Sequence, residues 1–535
     1  MRPRLRVLIS CLVLWTACDG PPEVANCGLV LPESPILSNG FGFDPRNTRN
    51  AASPITSENV STLQVRYALG GDTEEKRGAP AVTQDELFYY AGDDIVAVQR
   101  SSGCRLWSTT LGDPASGQVD RPRSSSLVLG ERPARGGRLL YVGSMSGNVY
   151  ALDAGSGATV WRTPISADPQ NFITGGMQLH DGRLYVPVST QQVVTAAIPA
   201  LPCCESRGAV VALDALTGEL RWTFDTVPEG SSGGSVWSAI AIDAPRNQLL
   251  AGVGQNLTAP ATDLTDAIVA VDLETGQLNW SFQGTIGDSW NLSCLVDPPT
   301  RCPMPEGPDF DFGAGAILAD LPDGGGQVVI AGDKAGTVFS LDPATGRMNW
   351  SRQVGAGGSL GGIHWGLAVD ATAVYATVSD LSGDKTTRLP FRQALGGSQT
   401  RLVAGATPGV YKLDLRTGEI LWSVSRTHLF EGEVVPSAFS AAVSVTNDVV
   451  FAASLDGILL ALRASDGAEL WSFDTRVTLT APDGSPVTGG TPDSVGAFAA
   501  GDTLLLNAGY TTFGGRTRFN AGPGNALFVF ELAGS

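Results

Sequence analysis

One phrase recurs seven times along this chain: an apolar strand ending near Leu-Asp, a Thr/Ser-Gly turn, and a second strand that carries Trp. The first four copies are IVAVQRSSGCRLW (Ile95 to Trp107), VYALDAGSGATVW (Val149 to Trp161), VVALDALTGELRW (Val210 to Trp222) and IVAVDLETGQLNW (Ile268 to Trp280). The last three are VFSLDPATGRMNW (Val338 to Trp350), VYKLDLRTGEILW (Val410 to Trp422) and LLALRASDGAELW (Leu459 to Trp471). Successive copies begin roughly 50 to 70 residues apart, room for several short strands each. That spacing predicts an all-β chain of radially repeated sheets, a β-propeller.

The residues of the phrase give the reason. VYALD and ELRW alternate with period two, so each strand has one apolar face. The turn glycine can adopt φ > 0, which lets two antiparallel strands close tightly. The indole that follows is large enough to wedge between neighbouring sheets and can hydrogen-bond through its ring N–H. All seven repeat tryptophans therefore read as docking residues. An eighth junction is split between the chain ends. ALFVFEL (Ala526 to Leu532) resembles the first strand of the phrase, and LQVRYAL (Leu63 to Leu69) the second, with Tyr67 in the Trp place. Their pairing would close an eight-bladed ring and remove its open edges.

Three units follow: residues 1–17 as a signal peptide, 18–39 as an N-terminal linker and 40–535 as the propeller. Arg2, Arg4 and Arg6 precede an apolar run, Val7 to Trp15, too short to span a membrane. The run ends in Trp-Thr-Ala-Cys, which is similar to a bacterial lipoprotein signal with Cys18 as the lipidated residue; ordinary cleavage is the alternative. Both imply export, to the periplasm or the cell envelope. A net charge of −18 argues against nucleic acid as a partner.

Export favours disulfides. Six cysteines follow Cys18, and six allow fifteen pairings. Spacing favours Cys294–Cys302, adjacency allows Cys203–Cys204, and Cys27 is then left for Cys104. None has metal-site company, and the absence of CxxCH excludes a covalently attached haem. Three histidines in the whole chain do not build an ordinary transition-metal site.

The stretches between the repeats carry a resemblance. NGFGFDPRNTRNAASPITSENVSTLQVRYAL near the N-terminus is similar to the opening of quinoprotein alcohol dehydrogenases, which use pyrroloquinoline quinone (PQQ). TGGMQLHDGRLYVPVS, SGGSVWSAIAID, GDSWNLSC, GPDFDFGAGAIL, GGIHWGLAVD and the terminal NAGY extend it, with the polyvinyl-alcohol dehydrogenase group nearest by motif. The resemblance implies hydride transfer from an alcohol to PQQ, Ca²⁺ acting as a Lewis acid and an aspartate taking the hydroxyl proton. It places Asp288 as that base and Trp237 as the flat floor under the cofactor. Lys334 and Arg123 become cations for the quinone and its carboxylates, although neighbouring Arg121 blurs that last match, and His364 and Trp365 line the mouth. The pair Cys203 and Cys204 resembles a disulfide ring that lies over PQQ in related enzymes, in a different blade.

The metal site departs from the pattern. Gln191 or Gln192 stands where the family has a ligating Glu, and Gln255 stands at its Asn, with Asn256 one residue on; Asp288 would complete the set. Losing a carboxylate predicts weak Ca²⁺ binding or none. Two functions are thus expected to compete: an exported alcohol dehydrogenase passing electrons to a separate carrier such as a cytochrome c, and a propeller that has lost its metal and serves as a binding or scaffold protein.

Overall fold

The computed structural model describes residues 27, 34–71, 78–113, 117–133, 135–383, 400–510 and 517–534. They form eight antiparallel blade sheets in a propeller, six of four strands and two, the first and third, of five, with little helix. The fourth blade is typical: Ala241–Asp243, Gln248–Val253, Ala267–Asp272 and Leu278–Gln283, inner to outer. The repeat phrase supplies the third and fourth strands of each of the first seven blades. Leu63–Leu69 pairs antiparallel with Ala526–Leu532 as the outermost strand of the eighth, so the two ends of the chain close the ring. Signal segment and Cys18 lie outside the described residues.

Inner strands are buried on both faces, as in Gln248–Val253, whereas outer strands alternate, as in Thr159–Pro164. The apolar interior is accordingly divided into layers, each between two neighbouring blades. Val128, Tyr141, Val186 and Val211 pack between the second and third, and Ile268, Leu318 and Val329 between the fourth and fifth.

The repeat tryptophans staple these layers. Trp107, Trp161, Trp222, Trp280 and Trp422 donate their ring N–H to backbone carbonyls of the next blade, at 2.8–3.2 Å. Each ring lies flat on the turn glycine of the next phrase. A Cβ on Gly346, whose φ is +70°, would come within 2.4 Å of Trp280. Glycine is therefore needed twice at one position, for the turn and for the indole. Tyr67 does the same at the closing junction: its hydroxyl donates to the Arg100 carbonyl and its ring lies against Gly103. Trp471 differs because the phrase beyond it is split between the chain ends and offers no turn. It packs edge-on to Phe530 instead.

Three disulfides form, Cys27–Cys104, Cys203–Cys204 and Cys294–Cys302. No helix among the described residues is long and apolar enough to cross a membrane.

Residues 36–51 form a strap through the inside of the ring. Ile36–Ser38 pairs with the innermost strand of the first blade, extending into what the sequence reads as linker. The strap then meets the remaining blades in order. Gly40 N–H donates to Leu127 O, Gln178 donates to Asp44 O, Ile242 N–H to Pro45 O and Leu318 N–H to Arg46 O. Val369 N–H donates to Thr48 O and Val445 N–H to Arg49 O, and Arg49 Nη2 donates to Val495 O at the entry to the eighth blade. The inner edges of the blades, which would otherwise be open, thereby find partners.

Candidate active site

In this topology the connections between blades, and those joining the second and third strands, emerge at one end of the ring. There they enclose a cavity of about 280 Å³. Its floor is aromatic. Trp237, from the connection entering the fourth blade, meets Trp365 edge to face at 5.4 Å, with the His364 ring 5.6 Å away. Gly313 carries no side chain because a Cβ there would overlap the Trp237 ring at 2.0 Å. Val193, Val194, Leu257, Leu292 and Leu295 make an apolar wall. Two short helical turns bearing all of these but Leu257, Gln192–Thr195 and Leu292–Leu295, pack together, and the Cys294–Cys302 disulfide braces the second.

The polar side centres on Lys334. Its buried ammonium lies 3.1 Å from Asp309 Oδ1 and 3.0 Å from Asp311 Oδ2, and 5.4 Å from the centroid of Trp237. Asp311 is shared further: Oδ2 accepts the Trp237 indole N–H (2.9 Å) and Oδ1 accepts the Gln255 amide (3.1 Å). Burial pulls the Lys334 pKa down, but Asp309 and Asp311 more than offset this and hold it above the ordinary lysine value. Burial pushes Asp309 well above the usual carboxylate range, against the pull of Lys334.

Behind this wall lie two further acids. Asp266 is completely buried, has φ +49°, and neither of its carboxylate oxygens has a hydrogen-bond partner. Burial, then the charge of Asp288, drives its pKa well up. Asp288 is also fully buried; its Oδ2 accepts the Phe310 amide at 2.8 Å, its Oδ1 lies against Gly307, and burial raises it to about 6.

Of the residues expected from sequence, the fold gathers Trp237, Lys334, His364, Trp365 and Gln255 around the cavity. Asp288 stands one layer behind, next to the wall residue Trp290. Arg123 is half-buried, its amide bonded to Gly143 O, and is not part of the wall. Cys203 and Cys204 are half-buried in the loop after Thr190, also away from the wall. Gln191 donates to Met145 O, while Gln192 Oε1 accepts the amides of Glu205 and Ser206, holding that loop. Asn256 is spent on Ser231, Ser232, Thr262 and Thr265. Sequence reasoning missed Asp266, Asp309, Asp311 and Tyr510. The Asp-Phe-Asp-Phe run at 309–312 carried a signal, two carboxylates two residues apart, both of which reach Lys334.

Residues 40–354 match the family model described as the glucose/ethanol/alcohol dehydrogenase beta-propeller domain of PQQ enzymes, and the chain belongs to that family. Its class is the PQQ-dependent alcohol dehydrogenases. A polyvinylalcohol dehydrogenase of Pseudomonas sp. is 32% identical over 543 residues, covering 96% of this chain and 80% of the relative. One from Sphingopyxis sp. is 30% identical, covering 93% and 76%. Residues 361–508 also match a model described as the outer membrane protein assembly factor BamB. Among solved structures, a quinohemoprotein alcohol dehydrogenase from Pseudomonas putida superposes with a TM-score of 0.65 at 18% identity, covering 94% of this chain and 81% of that one. A europium-containing methanol dehydrogenase gives 0.65 at 16% identity, covering 92% and 98%. These two share the fold.

The aromatic floor of the cavity suits a flat cofactor. The cavity also offers the Lys334 ammonium and the hydroxyls of Thr174, Ser189, Thr190, Ser235 and Ser359. The residues expected to hold Ca²⁺ do not suit that ion. Gln255 alone of the three lines the cavity, Gln191 is turned to Met145, and Asp309 and Asp311 are engaged by Lys334.

Proposed function

We propose that this protein is an exported dehydrogenase that oxidises alcohols, among them secondary and polyvinyl-alcohol-like substrates, with PQQ seated on Trp237. The observation that carries this is the single acceptor, Asp311 Oδ2, that fixes both the floor indole and the cavity ammonium. PQQ, when bound, supplies a two-electron acceptor for the alcohol carbon. Lys334 would meet the cofactor's oxygens as a cation, and Trp237 would lie against its plane. The apolar wall from Val193 to Leu295 excludes water and accommodates the carbon chain of the alcohol. Asp288 is the proton acceptor the family resemblance implies; because it is buried one layer behind the cavity wall, the alcohol's proton reaches it by relay and not by direct contact. Burial, and then the charge of Asp288, favour the neutral form of its neighbour Asp266.

Electrons then leave to a separate carrier such as a cytochrome c, since the sequence has no haem attachment motif. Three disulfides and the N-terminal signal pattern support an oxidising compartment outside the cytoplasm, with Cys18 as a possible lipid anchor. A second reading, a non-catalytic envelope scaffold, draws on Gln191 and Gln255 and on the match over 361–508. Titrating the purified protein with PQQ, with and without Ca²⁺, and then following alcohol-dependent dye reduction separates the two. Turnover independent of added Ca²⁺ supports a dehydrogenase that holds PQQ with these residues. Failure of the folded protein to bind PQQ in either condition supports the scaffold.

A further inference from the structure

Arg49 is a fully buried arginine with no carboxylate paired to it among the described residues. Each of its three side-chain nitrogens donates to a backbone carbonyl: Nε to Val443 O at 2.7 Å, Nη1 to Phe41 O at 2.7 Å and Nη2 to Val495 O at 2.6 Å. These acceptors belong to the seventh blade's entry, the strap itself and the eighth blade's entry. The guanidinium also lies against two rings of the strap, 4.8 Å from the centroid of Phe41 and 4.7 Å from that of Phe43. Burial pulls its pKa down to about 9, so it stays charged at neutral pH. A buried, hydrogen-bonded cation of this kind is a rigid knot, because any movement strands a charge away from its acceptors.

What the knot touches gives it a role. Phe41 is packed in the same apolar cluster as Trp365, Tyr510 and Trp237. Gly366, the residue after Trp365, lies directly on the strap: a Cβ there would stand 3.4 Å from both Phe41 Cε1 and Arg49 Cδ. On the other side of the strap, a Cβ on Gly176 would stand 3.0 Å from Phe41 Cβ. The strap thus forms the layer beneath the aromatic floor of the cavity, and its conformation is locked where Arg49 ties it across two blades.

We propose that Arg49 is a positioning residue for the active site, acting through Phe41 to hold the Trp237–Trp365 floor in place. Its effect on catalysis rests on the PQQ reading given above; its effect on the floor does not. A floor displaced by even 1 Å misaligns bound reactants, and losses of the order of a hundredfold accompany such shifts.

The test compares three strap variants in the full-length protein. Arg49→Met keeps apolar volume and removes all three hydrogen bonds. Phe41→Ala keeps those bonds and removes the contact with the floor. Arg46→Met breaks only the exposed ion pair of the same strap to Asp320. The near-ultraviolet circular dichroism of the tryptophans, PQQ affinity and kcat against KM are read, with far-ultraviolet spectra to confirm folding. The expected result is an altered near-ultraviolet spectrum and at least about tenfold weaker PQQ binding for Arg49→Met and Phe41→Ala, with the KM for alcohol little changed at saturating PQQ. Arg46→Met is expected to match wild type in all of these. If Arg49→Met does not fold, Phe41→Ala decides alone. Wild-type spectra and affinity in a folded Arg49→Met or Phe41→Ala protein, or equal losses in Arg46→Met, overturn the proposal. If the wild-type protein binds no PQQ, the functional reading fails while the near-ultraviolet comparison still decides the role of Arg49.

Discussion

Lys334 and Trp237 are fixed by one atom. The ammonium and the indole N–H both donate to Oδ2 of Asp311, which places the charge 5.4 Å from the ring centroid. The arrangement is preorganised before any ligand enters: cation, ring plane and separation are already set.

Removing the cation leaves two buried carboxylates facing each other. Lys334→Met is expected to destabilise the protein by about 3–5 kcal/mol. Chemical denaturation reads this directly. The double variant Lys334→Met/Asp309→Asn should recover part of the loss, because one of the stranded charges is gone.

Proton acceptance by Asp288 needs its ionised form. Its pKa is raised to about 6, chiefly by burial, so kcat should rise with pH through about 6 and level off above it. Asp288→Asn should lower kcat by roughly 10²–10⁴-fold, the range for loss of a general base, while PQQ still binds. An acid limb that persists in Asp288→Asn would assign the titration to another group.

The same shift makes a stability prediction of opposite benefit. An aspartate whose native pKa lies above its unfolded value of 3.8 binds more protons when folded, so stability falls as pH rises between the two values. Above about pH 6 the wild type carries the whole burden of an ionised buried acid. Asp288→Asn should therefore be more stable than wild type at pH 8, by about 2–3 kcal/mol, and the difference should vanish below about pH 4. Thermal melts of both proteins across this range test the sign.

The turn glycines make a control pair. Gly346→Ala combines a left-handed backbone with a collision against Trp280, whereas Gly405, also at φ +75°, has open space around it. Gly405→Ala should cost about 1–2 kcal/mol for the backbone alone. Gly346→Ala should add a further 1–3 kcal/mol or so for overpacking, seen as a distinctly larger fall in Tm.

Sequence and structure agree where one local rule repeats. Gly157, Gly218 and Gly346 sit at one position of one phrase, and Trp107, Trp161 and Trp280 at another, so the blades and the closing pair Leu63–Leu69 with Ala526–Leu532 can be read without coordinates. The site is harder because its parts come from unrelated loops. Trp237, Lys334 and His364 were legible only because their surrounding motifs resemble a known family. Asp309 and Asp311 were not, since an Asp in a Gly-rich loop usually caps a turn, and their roles depend on a lysine more than twenty residues away. Asp266 was hidden by its place at the very start of a repeat strand, where an acid looks like a solvated edge. Arg49 was similarly masked, because an arginine among Asn and Thr reads as surface.

The closing strand pair sets a condition on biogenesis. Every blade interface but the last can form as the chain emerges, yet the eighth blade needs Leu63–Leu69 to wait for Ala526–Leu532. The strap is held to the same schedule, because the acceptors for Arg49 at Val443 and Val495 are among the late-arriving residues. A prematurely terminated chain would therefore carry an unclosed sheet and an unanchored cavity floor together.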